Sequence, residues 1–155
     1  LISAGTGGNA IKIAEDCINK LKNFNFFDDK LIYIDKNIFN SNKNNNIQKA
    51  DFSEEMYRSI CCAIVRPGIG TITDALYNGV KIFCIFESNN SEMKSNFEKL
   101  FFAGLVNNCK NFDEIIESMI NYIKDKIKIQ EYLDQIKKID FDGARQSAQI
   151  LLETF

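Results

Sequence analysis

The run Cys61-Cys62-Ala63-Ile64-Val65 constrains the fold of this chain more than any other segment. It is apolar at every position and lacks the alternation of a strand with one face in water. A strand of this kind needs cover on both faces. The neighbouring segments supply it. A short apolar strand opens the chain and runs into Gly5-Thr6-Gly7-Gly8, and a helix follows with Ala10, Ile13, Ala14, Cys17, Ile18 and Leu21 on one stripe. Leu31-Ile32-Tyr33-Ile34 is a second strand, bounded by Asp35. The polar, asparagine-rich stretch from Lys36 to Asn46 reads as a loop. A weak strand is expected from Ile47 to Ala50, and Ser53 caps a short helix through Ile60.

After the central run come Arg66-Pro67-Gly68-Ile69-Gly70 as a turn and a helix from Thr71 to Asn78, stopped by Gly79. A strand from Lys81 to Phe86 and a helix from Ser91 to Phe102 follow. Asn111 and Glu114 form a box-like start to a long helix that turns Ile115, Ile116, Met119, Ile120 and Ile123 inward. One or two further helices close the chain, the last after Gly143. Strands alternating with helices imply right-handed crossovers and a mainly parallel sheet, a Rossmann-like α/β fold with helices on both faces. Without a linker or solenoid-like repeat, residues 1–155 read as one domain.

Composition narrows the function. The net charge of -2 leaves no electrostatic footprint for nucleic acid, and the lysines are spread among carboxylates. No apolar run approaches the roughly 20 residues that span a bilayer. The five cysteines have no Cys-x-x-Cys spacing and fall mostly in apolar runs, which suits a reducing cytoplasm. Histidine is absent, so Ser-His and Cys-His nucleophile pairs and histidine-based metal sites are excluded. The opening Leu1-Ile2-Ser3-Ala4-Gly5 reads as a fragment that begins inside a strand, with no signal peptide.

Two glycine-rich turns stand at strand ends, where parallel sheets bind their ligands: Gly5-Thr6-Gly7-Gly8 and Gly68-Ile69-Gly70-Thr71. Each opens a helix, so main-chain N–H groups and the positive end of the helix dipole would face an anion. Two such cradles on one crevice would suit a diphosphate. Each is equally readable as an ordinary tight turn. Thr71 and Asp74 also have two readings, a capping box at the helix start or an acid facing the crevice to accept from ribose hydroxyls.

The segment IVRPGIGTITDALYNGVKIFCIFESNNSEMKSNFEKLFFAG, from Ile64 to Gly104, is similar to the signature of the glycosyltransferase family 28 C-terminal domain and related GT-B enzymes. The opening SAGTGGNA resembles that domain's first strand and glycine loop. The resemblance runs from residue 2 to about residue 106, with Arg66 to Asn96 its specific part. It implies the donor-binding domain of an inverting glycosyltransferase that uses a nucleoside diphosphate sugar, by family habit a UDP-sugar, and needs no further cofactor. Gly5, Thr6, Gly7, Gly8, Gly68, Gly70 and Thr71 would hold the diphosphate. Asp74 would hold the ribose, Glu92 and Asn96 the sugar, and Phe52 and Met56 the base.

Three departures stand out: Asp74 where glutamate is usual, Met93 where many members carry glutamine, and Lys81 in place of proline after Gly79-Val80. The last is expected to matter little to chemistry. The base that deprotonates the acceptor would belong to an N-terminal acceptor-binding half or a separate subunit, which would also make any peripheral membrane contact. The chain alone would then be inactive.

Two alternatives stay open. Gly5-x-Gly7-x-x-Ala10 fits the dinucleotide fingerprint, with Asp35 as the ribose acid of an NAD-type domain. The second is a non-catalytic or split-subunit module that binds the same nucleotide sugar.

Overall fold

A computed structural model describes residues 1–5, 9–23, 30–39, 46–85, 90–109 and 111–143. Five strands, β1 (Ile2–Ser3), β2 (Ile32–Ile34), β3 (Ile47–Lys49), β4 (Cys62–Val65) and β5 (Lys81–Cys84), form one sheet in the order β3-β2-β1-β4-β5. Every pairing is parallel. The order reverses between β1 and β4, the topological switch point of a doubly wound Rossmann-like sheet. Ile2 pairs with Ile64 and Ser3 with Val65, which sets the carboxyl ends of these two strands side by side.

Every residue of β4 and β5 is buried, as the unbroken apolar run requires. One face is covered by α1 (Ala10–Asn23) through Ala14, Cys17, Ile18 and Leu21, together with α6 (Phe112–Lys124) through Ile115, Ile116, Met119 and Tyr122. Ile120 and Ile123 pack half-buried against the same core. The remaining helices are α2 (Lys36–Phe39), α3 (Glu54–Ser59), α4 (Ile69–Tyr77), α5 (Ser91–Phe102) and α7 (Lys126–Ile136).

Local signals set most boundaries. The Ser53 hydroxyl accepts from the Met56 amide to cap α3. Asn111 Oδ1 accepts from the Glu114 amide to cap α6, and its Nδ2, in place of the main-chain amide of a capping box, donates to Glu114 Oε1. Asp125 caps α7 by accepting from the Ile127 and Lys128 amides.

The structure differs from expectation at two described helices. Residues Lys36–Phe39 form α2 instead of loop, because Ile38 docks into the core and the Ile38 and Phe39 amides donate to the Asp35 carbonyl. Helix α4 starts at Ile69, with Gly68 as its N-cap, two residues before Thr71. The closing helix after Gly143, Phe86 at the end of the expected fifth strand and the asparagines from 40 to 45 lie outside the described residues.

Gly79 ends α4 with φ +75. Its amide donates to the Leu76 carbonyl and that of Val80 to the Ala75 carbonyl, the pair of bonds that closes a helix through a left-handed residue. A Cβ on Gly79 would stand 3.0 Å from Leu133 Cδ2. Gly79→Ala is therefore expected to lower stability by about 1–2 kcal/mol, mainly from the left-handed backbone. Urea unfolding at unchanged m-value checks this; an unchanged midpoint would refute it.

Candidate functional site

Because β1 and β4 are neighbours, the turns that leave them emerge together. Ser3, Ala4 and Gly5 from the first and Arg66, Gly68 and Thr71 from the second line one cavity of about 250 Å3, closed on a third side by Met93 of α5. Gly5, Gly68 and Thr71 are thus brought together. Gly70, Asp74, Glu92 and Asn96 lie outside this lining. Thr6, Gly7 and Gly8 lie outside the described residues.

The two turns are not equivalent. Asp35, immediately after β2, reaches across to the first turn, where its Oδ2 accepts from the Ala4 amide at 3.0 Å and the Gly5 amide at 3.2 Å. Burial to 8 % exposure pushes the Asp35 carboxyl above its ordinary value. Hydrogen bonds from the Ser3 hydroxyl and from those two amides oppose the rise. The described amides of the first turn are therefore already engaged by an internal anion. Gly5, at φ +71, is held in the left-handed region by that clamp. The dinucleotide reading needs Asp35 open to a ribose; its carboxylate is buried against the main chain instead.

The second turn is open. Gly68 makes no side-chain cap, and the Ile69, Gly70 and Thr71 amides have no acceptor among the described residues. This corrects the capping-box reading: Thr71 sits in the first turn of α4 and caps nothing. Free amides and the positive end of a helix dipole are the features that suit an anion. Asn96 Nδ2 donates to the Pro67 carbonyl at 2.9 Å, so α5 holds this turn in place.

Arg66 joins the cavity and was read in the sequence only as part of a turn. Its Nη1 reaches the Ala4 carbonyl at 3.5 Å, and its Nε is buried without a partner among the described residues. Its guanidinium keeps donors available to a bound anion. The signal was its place directly after a fully buried strand, where a long cationic side chain must run along the sheet end.

Asp74 is exposed on α4, away from the hydrophobic interior. Tyr57 lies beneath, 1 % exposed, with a hydroxyl that lacks a partner among the described residues. Burial, then the Asp74 and Asp35 charges, push that hydroxyl up to about 12. Glu92 is exposed in the first turn of α5.

Phe52 is exposed at 41 % with φ 57, a left-handed conformation uncommon outside glycine. Asp51 Oδ1 braces it by accepting from the Ser53 amide and hydroxyl. Met56, paired with Phe52 in the base-binding expectation, lies on the buried face of α3. Its side chain is 3 % exposed, its amide donates to Ser53 and its carbonyl accepts from the Ser59 hydroxyl. Among the described residues no group of three or more Cys, Asp or Glu is placed to hold a metal, and no helix is long and apolar enough to cross a membrane.

The Asp35 clamp has a pH signature. A carboxyl whose folded pKa lies above its unfolded value binds protons more tightly in the native state. Its contribution therefore favours folding most below about 3.8 and weakens as pH rises through the folded pKa. The stability of the wild type relative to Asp35→Asn should fall with rising pH across that window. Paired urea titrations check the slope, and a difference that grows with pH would reverse the assignment.

No protein-family model matches the chain, and no curated protein does. The chain is similar in fold to the crystal structure of the glycotransferase of kitacinnamycin, with a TM-score of 0.65 and 12% sequence identity. The match covers 98% of this chain and 42% of that one, so the chain spans less than half of that protein's length.

Proposed function

We propose that this chain is the donor-binding domain of an inverting glycosyltransferase, taking the diphosphate of a nucleoside diphosphate sugar between its two strand-end turns. The observation that carries the reading is the one cavity shared by Gly5, Gly68 and Thr71 at the switch point, lined also by Arg66, with the uncapped start of α4 at its edge. The fold shared with a glycosyltransferase supports it at a coarser level.

In this reading the free amides of α4 and the Arg66 guanidinium bind the diphosphate more strongly as negative charge develops on the leaving group. Thr71 offers its hydroxyl to the same group. Asp74 accepts from the ribose with a reach one methylene shorter than glutamate. Glu92 faces the donor sugar, Phe52 meets the base through its main chain, and Asn96 acts by fixing the Pro67 turn. The base is uracil by the habit of the resembled family. The residue that deprotonates the acceptor hydroxyl, and the acceptor site, come from a second domain or subunit, so the 155-residue chain binds nucleotide without turnover. The setting is cytoplasmic.

The test separates binding from folding. Gly70 lies in the first turn of α4, and a Cβ there would meet nothing within 4 Å. Gly70→Val should therefore leave thermal stability unchanged or slightly raised, since glycine is a poor helix former. It should weaken UDP or UDP-sugar binding about tenfold or more by crowding the open amides. Thr71→Ala should also weaken it. Calorimetry with both variants at unchanged affinity would remove the cradle. A thermal-shift panel of UDP, GDP, TDP and NADH identifies the ligand class: a nucleotide at 100 times its Kd adds about 2.7 kcal/mol. Stabilisation by NADH alone would overturn the reading in favour of a dinucleotide.

A further inference from the structure

We propose that the polar cavity at the opposite end of the sheet, around Lys81, is a second binding site, for a small oxyanion of the carboxylate or phosphate class. Lys81 is the first residue of β5, so it stands at the amino end of the strands, away from the glycine turns. It opens on a cavity of about 380 Å3 between the Gly104 turn, α6 and α7, lined also by Asn107, Ser118, Asn121 and Lys128.

Lys81 is 6 % exposed as a residue. Its ammonium donates to the Leu105 carbonyl at 3.1 Å and lies 4.2 Å from the Tyr132 ring centroid and 5.9 Å from that of Tyr122. Both rings favour a cation at this place. They do not supply acceptors for the remaining N–H bonds of a group that carries three. No carboxylate among the described residues pairs with it: Glu131 lines the same cavity without forming an ion pair, and Lys128 pairs with Asp125 at 3.4 Å.

A buried lysine is seldom left without a counter-charge. Burial pulls Lys81 down to about 8, with Cys62, Cys84 and Cys109 acting in the other direction. It is still mostly protonated at neutral pH. An oxyanion in the cavity would accept from Lys81 and reach the amides of Asn107 and Asn121 and the Ser118 hydroxyl on the walls. The cavity lies at the other end of the strands from the glycine turns, and the inference does not rest on the nucleotide reading.

NMR of the protein with lysine labelled at Cε tests it. The Lys81 resonance, assigned by its loss in Lys81→Met or by its contacts to the Tyr132 ring, should titrate with a midpoint near 8. Phosphate or acetate at about ten times its Kd, against sodium chloride at equal ionic strength, should raise that midpoint by about one unit, because the anion binds the ammonium form. A shift from acetate only, phosphate only or both supports the site and names the class. The same shift should persist in Gly70→Val. A midpoint unmoved by either anion, moved equally by chloride, or moved only while the glycine turn is intact would overturn the proposal.

Discussion

The parallel pairing of β1 with β4 decides where chemistry is available in this molecule. Two registered pairs, Ile2 with Ile64 and Ser3 with Val65, bring two turns separated by more than sixty residues of chain into one cavity. Neither turn has that property alone. The pairing depends on burial of both strands, and burial depends on the helices that cover the sheet from both sides. Loss of packing under α1 or α6 would therefore reach the cavity without any contact to it.

Within that frame the two turns have opposite electrostatic histories. The first carries its own anion: Asp35 crosses from β2 and occupies the Ala4 and Gly5 amides. The second is left uncapped, its three leading amides without a protein acceptor among the described residues. An incoming anion therefore meets the start of α4 and the Arg66 side chain first. Asp35 fixes the shape of the opposite wall and adds a negative charge behind it. A ligand with two separated charges, one toward α4 and one along Arg66, suits this asymmetry better than a single compact anion centred between the turns.

Periodicity and caps made the fold legible. The unbroken run at Cys61 to Val65 declared a doubly covered strand, and Ser53, Asn111 and Gly79 marked helix ends that their own side chains or backbone enforce. The convergence of the two glycine turns followed from strand order. What sequence missed depended on tertiary contact. Thr-x-x-Asp looked like a cap, yet Asn96 and the buried Pro67 fix the turn so that α4 begins two residues earlier. Lys36–Phe39 read as loop because the helical turn is paid for by one buried side chain, Ile38. Arg66 and Asp35 were marked only by their places at strand ends; that each reaches the first turn, far away in sequence, needed the folded structure.

Asp35 and Lys81 stand at opposite ends of the sheet, and each is answered by main chain instead of by a counter-ion. Asp35 receives two amides and the Ser3 hydroxyl, so its acceptor capacity is largely met in place. Lys81 receives one carbonyl and two aromatic faces, leaving donors that open on a polar cavity. Equal burial thus has unequal consequences. The carboxylate closes its end of the structure around a turn, whereas the ammonium leaves donors beside a polar cavity.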